Sequence, residues 1–88
     1  MNRKDKLFEL LQTDKDIYSL ELLIADFDEM IELLDNKIQM YEKLNLVDQV
    51  NQLCEEYLWC CKKKISYEKE LLNLKLWRLN KEEELLEE

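Results

Sequence analysis

The 88-residue sequence contains no glycine, no proline and no histidine. Tight hairpin turns and phosphate-binding loops depend on glycine or proline, so their absence argues against turn-linked sheets and glycine-rich nucleotide motifs. The lack of histidine removes the most common acid–base catalyst, the usual nucleophile triads and the mixed glutamate and histidine di-iron sites of helical bundles. We therefore predict an all-α protein that is not an enzyme and holds no cofactor.

Cysteine is scarce, and its placement favours neither a disulfide nor a metal site. The chain has three cysteines, Cys54, Cys60 and Cys61. Adjacent helical residues point in different directions, and this spacing is not that of zinc ligands. The sequence also shows no apolar signal segment and no run long enough to cross a bilayer. We expect buried, reduced cysteines, no bound metal and a cytoplasmic location, in a bacterial cell or a phage-infected host.

Basic residues are fewer than acidic ones, 13 against 21. The net charge is −8 and the pI is about 4.6. Seven acids and no base lie between residues 16 and 36, and five more acids lie between residues 82 and 88. Such a chain is repelled by nucleic acid and by anionic membranes, and it favours basic partners. We predict a protein partner, and no direct contact with nucleic acid or membrane.

A heptad pattern is the strongest signal that the sequence does contain. Its apolar residues alternate at spacings of three and four over four repeats, which is typical of a coiled-coil helix. They are Ile17, Leu20, Ile24, Phe27, Ile31, Leu34, Ile38 and Tyr41. We predict a helix over 15–44, about 40 Å long, and call this stripe the seam.

The residues before the seam allow two interpretations. Residues 2–12 are amphipathic, and Thr13 with Asp16 three positions later has the pattern of a helix start. This predicts a short separate first helix. The alternative is one helix that runs straight through Thr13.

Asn45 begins the best turn candidate, because asparagine tolerates the left-handed conformation that ends helices, and Asn or Asp can cap the next helix. We predict an antiparallel hairpin whose last helix spans 48–79, followed by a frayed acidic tail over 80–88. A single rod that pairs only between chains is the alternative. The fold class is thus a short helix plus a long hairpin, a coiled-coil-like three-helix bundle in one domain.

The last predicted helix carries two apolar stripes, which indicates contact with two neighbours. The first stripe is Val50, Leu53, Tyr57, Cys60, Tyr67, Leu71 and Leu74. The second is Cys54, Leu58, Cys61, Ile65, Leu72, Leu76 and Leu79. The second neighbour is either the first helix or another copy of the chain, and a homodimer is the favoured assembly.

Carboxylates form a ridge beside the seam, within about 60° of one another on a helical projection. This acidic ridge consists of Glu21, Asp28, Glu32, Asp35 and Glu42. It is either an imitation of a nucleic-acid backbone that fits a basic groove or an ordinary solvated face. In addition, Asp28, Glu29, Glu32 and Asp35 resemble in spacing the magnesium-binding helices of all-helical nucleotide pyrophosphatases. A matching acidic pair on the facing helix is missing, so that enzyme is a remote alternative.

Apolar residues outside the stripes mark further candidate contacts. Trp59 and Trp77 share one polar face, and exposed tryptophans are common at binding hot spots. Four apolar residues on the back of the second predicted helix are candidates for self-association: Leu22, Leu33, Met40 and Leu44.

These features favour a non-catalytic interaction module, and we predict a small acidic regulator or inhibitor of the phage or mobile-element type. It would occupy a surface of a larger partner, such as the basic groove of a nucleic-acid-binding protein. The alternative function is a coiled-coil adaptor subunit whose role is assembly.

Overall fold

The computed structural model describes residues 2–87, which fold into two long antiparallel helices. Helix α1 spans Arg3–Lys43 and helix α2 spans Val47–Leu86. The hairpin measures 65 × 15 × 14 Å, so it is a rod one helix pair wide. The predicted all-α hairpin is confirmed, whereas the prediction of a separate short first helix, and so of a three-helix bundle, was wrong. Within the described residues, neither helix is long and apolar enough to cross a membrane.

Helix α1 runs through Thr13 because this threonine belongs to the seam. Leu10 and Thr13 extend the three–four spacing of the seam toward the N-terminus, and each is only 7% exposed. The Thr13 hydroxyl donates to the carbonyl oxygen of Glu9 at 2.9 Å, so it bonds within the helix instead of capping a new one. The cap lies at Asn2, whose Oδ1 accepts from the backbone N–H of Asp5 at 2.9 Å.

The turn between the helices ends α1 at an asparagine, as the sequence predicts. Asn45 has a φ of 58°, in the left-handed region. Its N–H bonds to the carbonyl of Glu42 at 3.1 Å, and the N–H of Leu46 bonds to that of Tyr41 at 3.1 Å. These two bonds satisfy carbonyls that a helix end otherwise leaves open. The predicted side-chain cap for α2 is absent, because the cap position is Leu46.

The two helices meet along matching heptad stripes. In α1, residues of the seam are buried or half-buried, and Phe27 lies at its centre with 7% of its surface exposed. The first stripe of α2 faces it, and Leu53 and Cys60 are the most buried members. The Phe27 ring lies 5.7 Å from the ring of Tyr67 and 6.1 Å from that of Trp59, centroid to centroid. This aromatic group is the middle of the core.

Helix α2 continues to Leu86 instead of ending near Leu79. The three–four spacing of its first stripe continues through Arg78 and Lys81 to Leu85, which is only 7% exposed. Leu10 of α1 is buried at the same end of the hairpin. The acidic segment that was predicted to fray is therefore helical and packed up to Leu86; Glu88 lies outside the described residues.

A rod of this shape exposes more surface than a globular chain of equal mass. Its accessible surface is 6959 Å² for 10.8 kDa, whereas a compact monomer of that mass exposes about 5,500 Å². No described side chain is completely buried, and many large apolar side chains are exposed. Two groups of the exposed side chains lie on opposite flanks of the helix pair.

Candidate interaction surfaces

The acidic ridge borders α2 and is partly neutralised by it. Lys64 Nζ lies 2.5 Å from an Asp28 carboxylate oxygen, and Lys75 Nζ lies 3.4 Å from one of Glu21. Arg78 pairs with Asp14, one heptad before Glu21, and its Nη1 also donates to Glu82 at 2.8 Å. Part of the predicted ridge thus serves to match basic groups of the facing helix.

The rest of the ridge has no basic partner among the described residues. Asp35 accepts a hydrogen bond from the Gln39 amide at 3.0 Å, within α1. Glu32 and Glu42 are exposed, and neither has an ion pair within residues 2–87. These three carboxylates are the part of the ridge that is open to an external cation.

Lys64 lies in the first stripe of α2, between Cys60 and Tyr67. A cation at a position that faces the other helix is costly unless a carboxylate pairs with it. Its hydrogen bond to Asp28 raises the pKa of Lys64 above the ordinary lysine value of 10.5. The pKa of Arg78 is raised as well, by its hydrogen bonds to Asp14 and then to Glu82. The Lys64–Asp28 and Arg78–Asp14 pairs connect the two helices on this flank.

We expect an NMR titration to place the pKa of Lys64 above that of a free lysine, and Asp28→Asn to return it toward 10.5. Because the folded value is raised, the stabilisation from the pair is complete below the unfolded pKa. It disappears as the pH rises through the folded value. Glu42→Gln, near the turn, is the control and should leave the titration of Lys64 unchanged. An unshifted Lys64 in the wild type would contradict the pairing.

The opposite flank carries an open groove between the helices, with a volume of about 810 Å³. We name it the tryptophan groove, since Trp59 forms much of its α2 side and is 55% exposed. The lining residues are Met30, Leu33, Leu34, Asn36, Lys37, Met40, Glu55, Glu56, Trp59 and Cys60. The groove and the ridge lie on opposite flanks because heptad positions on either side of a seam face opposite ways.

The structure unites some of the predicted site residues and separates others. Leu33 and Met40 share the tryptophan groove with Trp59, a combination that periodicity within one helix could not reveal. Leu22 and Leu44 are exposed outside the groove. Trp77 is also outside it, 37% exposed, with Lys81 Nζ 5.6 Å from its ring centroid.

Lysines partly cover the tryptophans. Lys63 Nζ lies 5.7 Å from the ring centroid of Trp59, within the range of a cation–π contact. The other edge of Trp59 contacts Phe27 in the core. Trp59 is therefore anchored from inside and open toward the groove, whereas Trp77 has no such aromatic neighbour among the described residues.

The second apolar stripe of α2 has no partner within the described chain. Its members Leu58, Ile65, Leu72 and Leu79 recur every seven residues, and Leu86 continues the series. Their exposed fractions are 58, 52, 58, 56 and 79%. We name these five residues the leucine row. The predicted separate first helix cannot cover the row, because residues 3–43 form one helix that packs against the first stripe of α2.

The described residues contain no group of three or more Cys, Asp or Glu side chains arranged to hold a metal ion. In the quartet resembling a magnesium helix, Asp28 faces Lys64 of α2. Cys60 is buried in the core, Cys54 and Cys61 are half-buried, and all three are free thiols. The chain matches no protein-family model, no curated protein and no solved structure.

Proposed function

We propose that the hairpin is a non-catalytic interaction module, a small acidic regulator or inhibitor that occupies a surface of a larger protein. The observation that carries this proposal is the tryptophan groove. It is lined mainly by apolar side chains, it is open to solvent, and it holds an exposed tryptophan fixed against the core. Rigid aromatic anchors beside apolar pockets are the usual energetic centres of protein interfaces.

The charge around the groove indicates the kind of partner. Glu55 and Glu56 form its α2 edge and Lys37 is the single base in its lining, while the whole chain carries a net charge of −8. A basic amphipathic helix of the partner fits this surface, with apolar side chains in the groove and basic ones near the glutamates. A nucleic-acid-binding protein would supply such a segment.

The unpaired carboxylates extend the same surface around α1. Glu32 precedes Leu33 in sequence, so the ridge and the groove both border the outer face of α1. A basic cleft that received α1 would contact Leu33 and Met40 on one side and Glu32 and Asp35 on the other. This arrangement assigns the apolar contacts to affinity and the carboxylates to attraction and orientation.

The proposal is tested by affinity capture from the cells that encode the chain, with matched variants. We expect Met40→Glu, which places a charge in the groove, to lose a specific protein that the wild type retains. Leu22→Glu is the control, because Leu22 is equally exposed but lies outside the groove. Circular dichroism should show the same helix content for both variants. If no captured protein depends on Met40, the groove is not the binding site.

A double variant, Glu32→Lys with Asp35→Lys, separates the ridge from the groove. If the ridge attracts a basic partner, this variant weakens binding at least tenfold and the loss shrinks as salt is added. Equal affinity at every salt concentration would restrict the interface to the groove.

A second candidate function, a structural or adaptor subunit that works by assembly, is favoured by the leucine row. That surface is apolar over much of α2, and the groove does not include it.

A further inference from the structure

The leucine row is a regular apolar surface that the hairpin leaves uncovered. Its five side chains recur at seven-residue intervals from Leu58 to Leu86, over about 42 Å of helix, and each is more than half exposed. Because α1 packs against the first stripe of α2, no described segment of the chain covers the row. A helix with a second heptad stripe requires a second helical neighbour.

The row is symmetric about its middle residue. Ile65 and Leu79 lie seven positions on either side of Leu72, and Leu58 and Leu86 lie fourteen. Two copies of α2 that cross antiparallel at Leu72 therefore bring apolar residues together along the full row. A twofold axis at this point generates an isologous contact, the commonest arrangement in homodimers.

The charges beside the row are complementary in the antiparallel arrangement. Glu68 lies four residues before Leu72 and Lys75 three residues after it, so each faces its opposite charge on the other copy. On the other edge of the row, Lys62 and Glu83, ten residues before and eleven after Leu72, are related in the same way. Lys75 is half exposed beside Glu21, so it can serve both contacts.

The elongated hairpin exposes a large surface for its mass, more than a standard interface buries. A standard interface buries about 800 Å² on each partner. The hairpin exposes 6959 Å², on the order of 1,400 Å² more than a compact chain of its mass. On the same flank, α1 adds Leu11 and Tyr18, which are 62 and 63% exposed. An interface of standard size through this face would remove about half of the excess surface.

We propose that α2 pairs antiparallel with α2 of a second copy through the leucine row, with the twofold axis at Leu72. The product is a four-helix assembly of two hairpins. The tryptophan groove lies on the other flank and stays open, so the proposal does not depend on the proposed function. A failure of one leaves the other standing.

The test is the solution mass, measured by light scattering and sedimentation across a range of concentrations. The wild type is expected at twice the 10.8 kDa of the chain. Leu72→Glu places two carboxylates against each other at the axis and should weaken dimerisation at least 100-fold, with helix content retained because Leu72 is exposed. Leu44→Glu, beside the turn and outside both the row and the tryptophan groove, should remain dimeric.

A charge exchange tests the orientation. Glu68→Lys alone and Lys75→Glu alone each create two like-charge contacts by symmetry, which should weaken the dimer about tenfold. The double variant should recover most of the wild-type affinity, since it restores the contacts between the copies and loses only the pair of Lys75 with Glu21. A wild type that stays at the mass of one chain overturns the proposal. So does dissociation by Met40→Glu but not by Leu72→Glu, and a double variant without recovery overturns the antiparallel orientation.

Discussion

Phe27→Ala is expected to cost about 3–4 kcal/mol of unfolding free energy, the usual range for a buried phenylalanine. Phe27 is 7% exposed and contacts the rings of both Trp59 and Tyr67 from the middle of α1. No other side chain replaces these contacts, because the rod has only two helices. A chain of this length is stabilised by about 4–13 kcal/mol in total, so the loss lowers the melting temperature by roughly 15 °C or more.

Phe8→Ala provides a matched control on the same helix. Phe8 is 70% exposed, so its replacement should change the stability by less than about 0.5 kcal/mol. Urea unfolding followed by far-UV circular dichroism measures both variants, and tryptophan fluorescence reports the Trp59 environment separately. Equal midpoints for the two variants would show that α1 does not pack with its seam against α2.

Leu85→Ala is expected to cost about 2 kcal/mol, although Leu85 lies in the acidic end of the chain. It is 7% exposed, at the end of the hairpin where Leu10 is equally buried. The truncation should loosen the last two turns of α2 and leave the turn end unaffected. Urea unfolding measures the cost, and amide hydrogen exchange should show faster exchange after residue 78.

The control for this substitution is Leu22→Ala, because Leu22 is 51% exposed on the outer face of α1. Its effect should stay within about 0.5 kcal/mol. If Leu85→Ala is no more destabilising than Leu22→Ala, the last turns are not packed and the frayed tail predicted from the sequence is correct.

The hairpin itself was predictable because its signals are local. Isoleucine and leucine at heptad spacing fix the seam, and Asn45 is suited to the left-handed position that ends α1. The continuity of α1 was missed because threonine fits both a cap and a half-polar seam position. Leu10 and Thr13 keep the three–four spacing, and that is the signal that could have shown one helix.

The end of α2 was harder to predict because polar residues occupy the last positions of its first stripe. Arg78 and Lys81 occupy the next two positions of the first stripe before Leu85, so the run of apolar residues ends at Leu74. Arg78 is accommodated by Asp14, which is 64 residues away in sequence. Such compensation depends on the relative register of the helices, and a pattern within one helix contains no information about it.

The candidate surfaces also combine features visible within one helix with features that depend on the packing of two helices. The sequence identifies Trp59, Leu33 and Met40 as apolar residues outside the seam, but only the packing of α1 on α2 unites them in one groove. The ridge was visible as a pattern of carboxylates. Its partial neutralisation by Lys64 and Lys75 was not, since it requires the distance between two helices.

The turn at Asn45 has a consequence for the order in which the chain folds. Contacts beside the turn close short loops, whereas the burial of Leu10 and Leu85 closes a loop of nearly the whole chain, and longer loops cost more entropy. We expect folding to begin at the turn and to progress like a zipper toward the termini. Local unfolding of the hairpin then starts at the end that carries the two termini. Partially unfolded molecules expose the C-terminal turns of α2 first.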